Sequence, residues 1–263
     1  MQEKEKFKIV SSKRTRYILP NILTITGVCL GISSIKFSLD QNFSLAVIFV
    51  LFASLLDALD GRIARLIKGT SEFGKELDSL TDFVSFGIAP AFIVFLWDLN
   101  NYGKIGWAIT LIFSVCCVLR LARFNLTKYE TGQEWKKNFF EGVPSPAGGL
   151  LILIPLIYEL SNFQVNFEIK KIVPYLNIVV AFLLISKIPT FALKKIFIPP
   201  RFTIFILLLI GVIIVSLIFF TFETLLILIL GYLLSIPISI FTFYNLTKKF
   251  KNENSQDDHE YIL

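Results

Sequence analysis

One histidine, one methionine and three cysteines are all that 263 residues provide. His259 sits in a polar C-terminal stretch, and Cys29, Cys116 and Cys117 all fall in apolar runs. That leaves no disulfide framework, no Cys/His zinc pattern and no His-based triad. Any catalysis has to rest on Asp, Glu, Lys or Arg. Charge is scarce too, at 17% of residues, against roughly 25% in an ordinary soluble domain. No cleavable signal peptide is expected: the first 16 residues are charged, and no short apolar run with a small-residue cleavage site follows. There is no evident internal repeat, and no segment between the apolar runs is large enough for a soluble domain.

What is abundant is apolar side chain. Hydrophobic residues make up 54% of the chain, with 27 Phe, and the mean hydropathy is +0.69. A water-soluble protein of this size has no interior large enough to hide them. The composition therefore predicts an all-α polytopic membrane protein. Eight apolar runs approach the length of a bilayer span, at about 17–36, 43–60, 80–97, 105–123, 147–161, 172–190, 202–220 and 223–245. Gly27, Gly31, Gly211 and Gly231 lie inside such runs, where small residues allow close helix contact.

With eight spans and the N-terminus inside, 22 of the 26 Lys and Arg fall in the inside pieces; only Lys36, Lys104, Lys170 and Lys171 fall outside. This asymmetry predicts that both termini are cytoplasmic. It also accounts for the net charge of +6 without a nucleic-acid partner. Residues 1–16 read as a basic juxtamembrane arm suited to anionic headgroups, and 246–263 as a polar tail.

The informative stretch runs from Asp57 to Asp82, where an apolar span meets the inner face. Asp57, Asp60, Gly61, Ala64 and Arg65 share one face of a helix. Gly74, Asp78 and Asp82 recur every four residues on the next helix, and Ser85 and Ala89 extend the stripe. Lys68–Ser71, with Gly69, forms the turn of this hairpin. Carboxylates at membrane depth are costly without a partner. Arg65 is one local cation, so the set suits two hard divalent cations, Mg²⁺ or Mn²⁺. Such pairs serve in-line phosphoryl displacement. Small Gly61, Ala64 and Gly74 leave room for a phosphorylated ligand, and Arg65 can fork onto a phosphate. The plainer reading is a charged loop whose Asp and Arg pair locally. A cation transporter using the Asp cluster is the alternative of another class.

Asp57-x2-Asp60-Gly61-x2-Ala64-Arg65-x8-Gly74-x3-Asp78-x3-Asp82 resembles the signature of the CDP-alcohol phosphatidyltransferase family at every position. The likeness extends upstream through Leu19–Thr24 and covers about residues 17–190, as a six-helix core followed by two C-terminal spans at 191–245. Three stretches resemble the branch whose acceptor is serine: DSLTDFVSFGIAPAF, Leu119–Asn125 and Gly142–Gly149. The resemblance implies a multi-pass enzyme of a bacterial or archaeal cell membrane, with its active site on the cytoplasmic side. It implies that Asp57, Asp60, Asp78 and Asp82 bind the two cations and that Asp82 is also the general base. Pro20, Asn21, Ile22, Leu23, Gly61, Arg65, Ser71 and Gly74 would bind CDP-diacylglycerol.

Serine carries a carboxylate, which suits an Arg fork. Arg123 is the first choice for it and Arg120 the second, with Asn125 and Ser145 beside them; anchoring by positive charge explains the two arginines equally well. Another acceptor, such as glycerol 3-phosphate, inositol phosphate or choline, stays open. Membrane lipids are the expected surroundings and a homodimer the expected assembly.

Overall fold

A computed structural model describes residues 15–67, 69–126, 138–163, 168–192 and 200–260, with only the backbone given for 15–17, 200 and 249–260. The expected basic arm up to Arg14 lies outside these residues, as do Lys68, Lys128, Lys136, Lys137, Lys194 and Lys195.

The chain is almost wholly helical. α1 (Thr15–Leu39) and α2 (Phe43–Leu66) form an antiparallel hairpin and the most extensive helix pair. Their turn places Gln41 at φ +60°, and the Asn42 side chain caps α2 by accepting from Leu45 N. A second turn leads to Ser71, whose Oγ accepts from Gly74 N at 3.0 Å and starts the next helix. That helix is continuous over 26 residues in three parts: α3 (Glu72–Asp82), a π-helical segment (Phe83–Ile88) and α4 (Ala89–Trp97). α5 (Lys104–Leu126) follows. A small antiparallel ribbon joins β1 (Phe139–Glu141) to β2 (Pro189–Phe191), pairing Phe140 with Thr190. Between the strands run α6 (Ser145–Ile152), α7 (Ile154–Leu160) and α8 (Val173–Ile185). α9 (Thr203–Phe219) and α10 (Thr221–Glu260) complete the chain.

Among the described residues, five continuous helices are long and apolar enough to cross a bilayer: α1, α2, the Glu72–Trp97 helix, α5 and α10. α9 is a further apolar helix of 17 residues. The expected fifth span is broken at Leu153 into α6 and α7. Pro155 has no N–H to donate to Leu151, and its ring crowds that carbonyl. The expected sixth is the 13-residue α8, preceded by one 3₁₀ turn at Ile169–Ile172. α10 does not stop at the expected boundary near 245 but continues as helix to Glu260.

The interior is apolar, built from Ala46, Val47 and Val50 of α2, Ile93 and Val94 of α4, Phe113 and Cys117 of α5, Leu151–Leu153, Leu156 and Ile157 of the broken span, and Leu184 of α8. The outer surface is equally apolar, with Phe182, Phe205, Ile204 and Phe241 all well exposed. A surface of that kind belongs in lipid, and the protein is an integral membrane protein.

Close approach is concentrated at α1. A Cβ on Gly31 would meet the Ser85 backbone at 2.9 Å, so only glycine lets α1 lie against the π-helical segment. Gly27 is in ordinary contact with Thr81. A Cβ on Gly211 or Gly231, expected at contacts of the same kind, would meet no other element within 4 Å among the described residues. Ser85 Oγ donates to Gly27 O of α1 at 3.2 Å. Past it, the π-helical turn shifts the phase by one residue, and Ala89 is buried in the apolar interior. Ala89 does not continue the acidic stripe as the spacing suggested.

Candidate active site

The facing stripes of the α2–α3 hairpin do meet. Asp57, Asp60 and Asp78 each offer a carboxylate oxygen, and these oxygens lie within 4.8 Å of one another. Asp60 is the most enclosed of the three, at 4% exposure. Its Oδ2 accepts from Thr24 Oγ1 of α1 at 2.6 Å. Asp82 stands one turn further along α3, near enough to Asp57 for the two carboxylates to repel each other. Its Oδ1 is out of solvent, and no donor reaches it among the described residues.

All-oxygen donors with no thiol or imidazole among them fit a hard divalent cation. Three carboxylates this close repel one another strongly in a low-dielectric setting, and the stranded Asp82 oxygen adds a further unmet acceptor. The residues present therefore suit Mg²⁺ or Mn²⁺.

On the side of the cluster away from Asp82 lies an open cavity of about 200 Å³. α1 contributes Pro20, Asn21 and Thr24 to its wall, α2 contributes Asp60, Gly61, Ala64 and Arg65, and the turn and α3 contribute Gly69–Ser71, Gly74, Lys75 and Asp78. Ile22 and Leu23 are not part of the lining, and Ile22 is 53% exposed on another face of α1. Gly61 leaves open space where a Cβ would point. Gly74 does not: its free volume is filled by Ser71 Oγ and Asn21 Oδ1, at 3.0 and 3.3 Å from a built Cβ.

Lys75, Thr70 and Thr24 line the cavity without having been singled out in the sequence. Thr24 had a readable signal, because Pro20, Asn21 and Thr24 at i, i+1 and i+4 share a helical face. Lys75 also pairs with Glu72 at 2.7 Å, an exposed contact of little energetic weight.

The residues expected around serine separate into different tasks. Arg120 is 6% exposed, and its Nη1 donates to the fully buried Ser145 Oγ at 2.6 Å. Its charge acts on Asp82 and Asp57, and it is not among the residues that line the cavity. Pro144 caps α6 and Pro146 sits in its first turn, which fixes Ser145 at the start of the helix. Arg123, one turn from Arg120, donates instead to three backbone carbonyls: Ile185 O at 2.5 Å, Ser186 O at 3.0 Å and Glu141 O at 3.2 Å. It ties α5 to the end of α8 and to β1. Asn125 donates to Ser79 Oγ at 3.0 Å and links α5 to α3 near the surface. Of the four, Arg120 and Ser145 adjoin the cluster; Arg123 and Asn125 hold elements together.

The sequence model of CDP-alcohol phosphatidyltransferases matches residues 17–183. The chain belongs to the CDP-alcohol phosphatidyltransferase family. It is 34% identical over 227 residues to a CDP-diacylglycerol–serine O-phosphatidyltransferase of Mycobacterium leprae, covering 85% of this chain and 74% of the relative. The protein of that name from Helicobacter pylori is 33% identical over 180 residues, covering 68% and 74%. The Bacillus subtilis protein of that name is 34% identical over 136 residues, covering 52% and 73%. The matched segment contains the whole acidic cluster, every residue lining the cavity, and both Arg120 and Ser145. α9 and α10 lie beyond the family match.

The Thr24–Asp60 contact generates a test. A hydrogen bond to a metal-holding carboxylate orients it, and its loss costs about 10- to 100-fold in metal affinity. Thr24→Val, which keeps the shape, is expected to raise the Mg²⁺ or Mn²⁺ concentration at half-maximal activity about tenfold. An unmoved midpoint in a metal titration would show that Asp60 needs no such partner.

Proposed function

We propose that the chain transfers the phosphatidyl group of CDP-diacylglycerol to the hydroxyl of L-serine, giving phosphatidylserine and CMP. The observation that carries this reading is the Asp57–Asp60–Asp78 cluster with two arginines near it, Arg65 at the open cavity and Arg120 buried within the bundle. The names of the relatives agree with it.

In this reading the nucleotide lipid occupies the open cavity. Arg65 forks onto its diphosphate, Lys75 adds a second positive charge, and Pro20, Asn21, Gly61 and Ser71 shape the wall. Asp57, Asp60 and Asp78, with Asp82, would hold two divalent cations, Mg²⁺ or Mn²⁺. When bound, these supply positive charge against the diphosphate and the reacting oxygens. Asp82 takes the proton of the serine hydroxyl as general base. The serine oxygen forms its bond to the β-phosphorus as the bond from that phosphorus to CMP breaks.

Arg120 holds the serine carboxylate, and this reverses the order expected from sequence, because the Arg123 guanidinium is committed to carbonyls. A phosphorylated acceptor would call for more free cations beside the cluster, and choline is opposed by a buried guanidinium. Nothing in the geometry favours the transporter alternative.

The charge asymmetry of the sequence supports a cytoplasmic site and cytoplasmic termini. The same reading divides the chain into an arm to residue 16, a core over 17–190, a C-terminal hairpin over 191–245 and a tail, and takes the enzyme as a homodimer.

Membranes containing the protein are expected to convert labelled serine and CDP-diacylglycerol into a labelled lipid with release of CMP, and to lose this in excess EDTA until Mg²⁺ or Mn²⁺ is restored. Lipid formation from another alcohol alone would refute the acceptor, and full activity after verified metal removal would refute the cation requirement. Asp82→Asn is expected to lower kcat on the order of a hundredfold with the KM for CDP-diacylglycerol nearly unchanged; near-normal turnover would point to a different base. Arg120→Lys is expected to raise the KM for serine several-fold through loss of the planar fork, whereas Arg123→Lys should lower thermal stability with less effect on that KM. The opposite pattern would return the carboxylate to Arg123.

A further inference from the structure

In the Leu119–Asn125 stretch of α5, Arg120, Arg123 and Asn125 each have a polar partner. Phe124 stands among them as an apolar ring, 48% exposed. A half-open ring at the end of a membrane helix is ordinarily a packing or interfacial group. This one has a more particular neighbour. It follows Arg120 at i+4, and a helical side chain leans back over the turn that precedes it. The Arg120 Cζ lies over the Phe124 ring, 5.6 Å from its centroid. That is within the range at which a guanidinium is drawn to a ring face. From β1, Phe140 meets the Phe124 ring edge-on, with centroids 6.4 Å apart and planes at 61°. The strand is itself held by its pairing with β2 and by the Arg123 bond to Glu141 O.

The buried Arg120 guanidinium is therefore gripped at two points. Its Nη1 donates to Ser145 Oγ at 2.6 Å, and the Phe124 ring takes its face. Neither partner carries a charge, so the grip orients the guanidinium without neutralising it. A carboxylate in the place of the ring would compete with any anion the guanidinium binds. Among the described residues Arg120 makes no ion pair with a carboxylate. A free arginine side chain loses rotamer freedom when it engages a ligand, and one already held loses less.

We propose that Phe124 is a positioning residue that acts through Arg120, its ring holding the guanidinium in the orientation that receives the carboxylate of the acceptor amino acid. The inference rests on the serine reading given above and deepens it. It also gives the β1–β2 ribbon a task, because Phe140 backs the ring.

The experiment uses the full chain in membranes, with CDP-diacylglycerol and L-serine. Phe124→Leu keeps an apolar side chain but removes the ring face, and should raise the KM for serine about fivefold, the size of one cation–π contact. The kcat, the KM for CDP-diacylglycerol and the Tm should stay close to wild type. Phe124→Tyr restores a ring face and should return the KM for serine to near the wild-type value. An unchanged serine KM in Phe124→Leu overturns the inference. So does an equal rise in Phe124→Tyr, or a rise in both KM values with a fall in Tm, which marks a packing role. Should Phe124→Leu fail to accumulate, a trifluorinated phenylalanine at the same position keeps the shape and weakens the negative ring face. It should raise the serine KM in the same direction, and no rise overturns the inference. Wild-type protein that makes lipid from another alcohol and none from serine refutes the function reading, and this inference with it.

Discussion

Four carboxylates at the mouth of an apolar helix bundle repel one another and resist leaving water, and the surrounding structure answers that conflict step by step. The α2–α3 hairpin brings Asp57, Asp60 and Asp78 within 4.8 Å of one another, a spacing that only positive charge makes comfortable. α1 is pressed against the hairpin through Gly27 and Gly31, and this contact brings Thr24 onto Asp60. α5 answers with Arg120, whose burial is tolerable because Asp82 and Ser145 share its environment. The tight packing of the first five helices thus serves to hold like charges where they would not gather unaided.

The same conflict divides the site in two. Arg65 and Lys75 line the cavity open at the end of α2, and Arg120 lies within the bundle. An anionic lipid headgroup and a small zwitterion can then approach the cluster from different directions. Arg123 illustrates how little separates a binding arginine from a structural one. Three residues along α5, the same guanidinium meets the carbonyls left unpaired where α8 ends and becomes a staple.

The all-helical membrane fold and the acidic cluster were both legible, because each rests on a strong local signal: apolar runs for the helices, and four-residue recurrence for the carboxylates. The helix breaks were harder. Pro155 interrupts a run whose hydropathy is seamless, and the π-helical turn at Phe83–Ile88 leaves no mark in composition. That turn is why Ala89 fell off the stripe on which periodicity had put it. Arg120 and Arg123 were indistinguishable in sequence, since the partners that separate them, Ser145 and the carbonyls of Glu141, Ile185 and Ser186, are distant along the chain. Gly211 and Gly231 misled for the opposite reason: a small residue in a span permits close contact but does not require it.

Among the described residues α9 packs mainly on α10 and the short turn before it, and none of its residues is buried, yet the chain has an arithmetic need for it. β2 lies on the same side of the bundle as the start of α6, whose first residue touches Arg120. α10 begins on the far side, where Glu223 accepts from the backbone and side chain of Asn162 beyond the end of α7. A chain leaving β2 must therefore cross an odd number of times before α10 can start its return. At about 1.5 Å of rise per residue, the 17 residues of α9 are just enough for one crossing. Its contribution is parity: it sets the direction of the helix that follows, and so decides which end of α10 meets Asn162 beyond the end of α7.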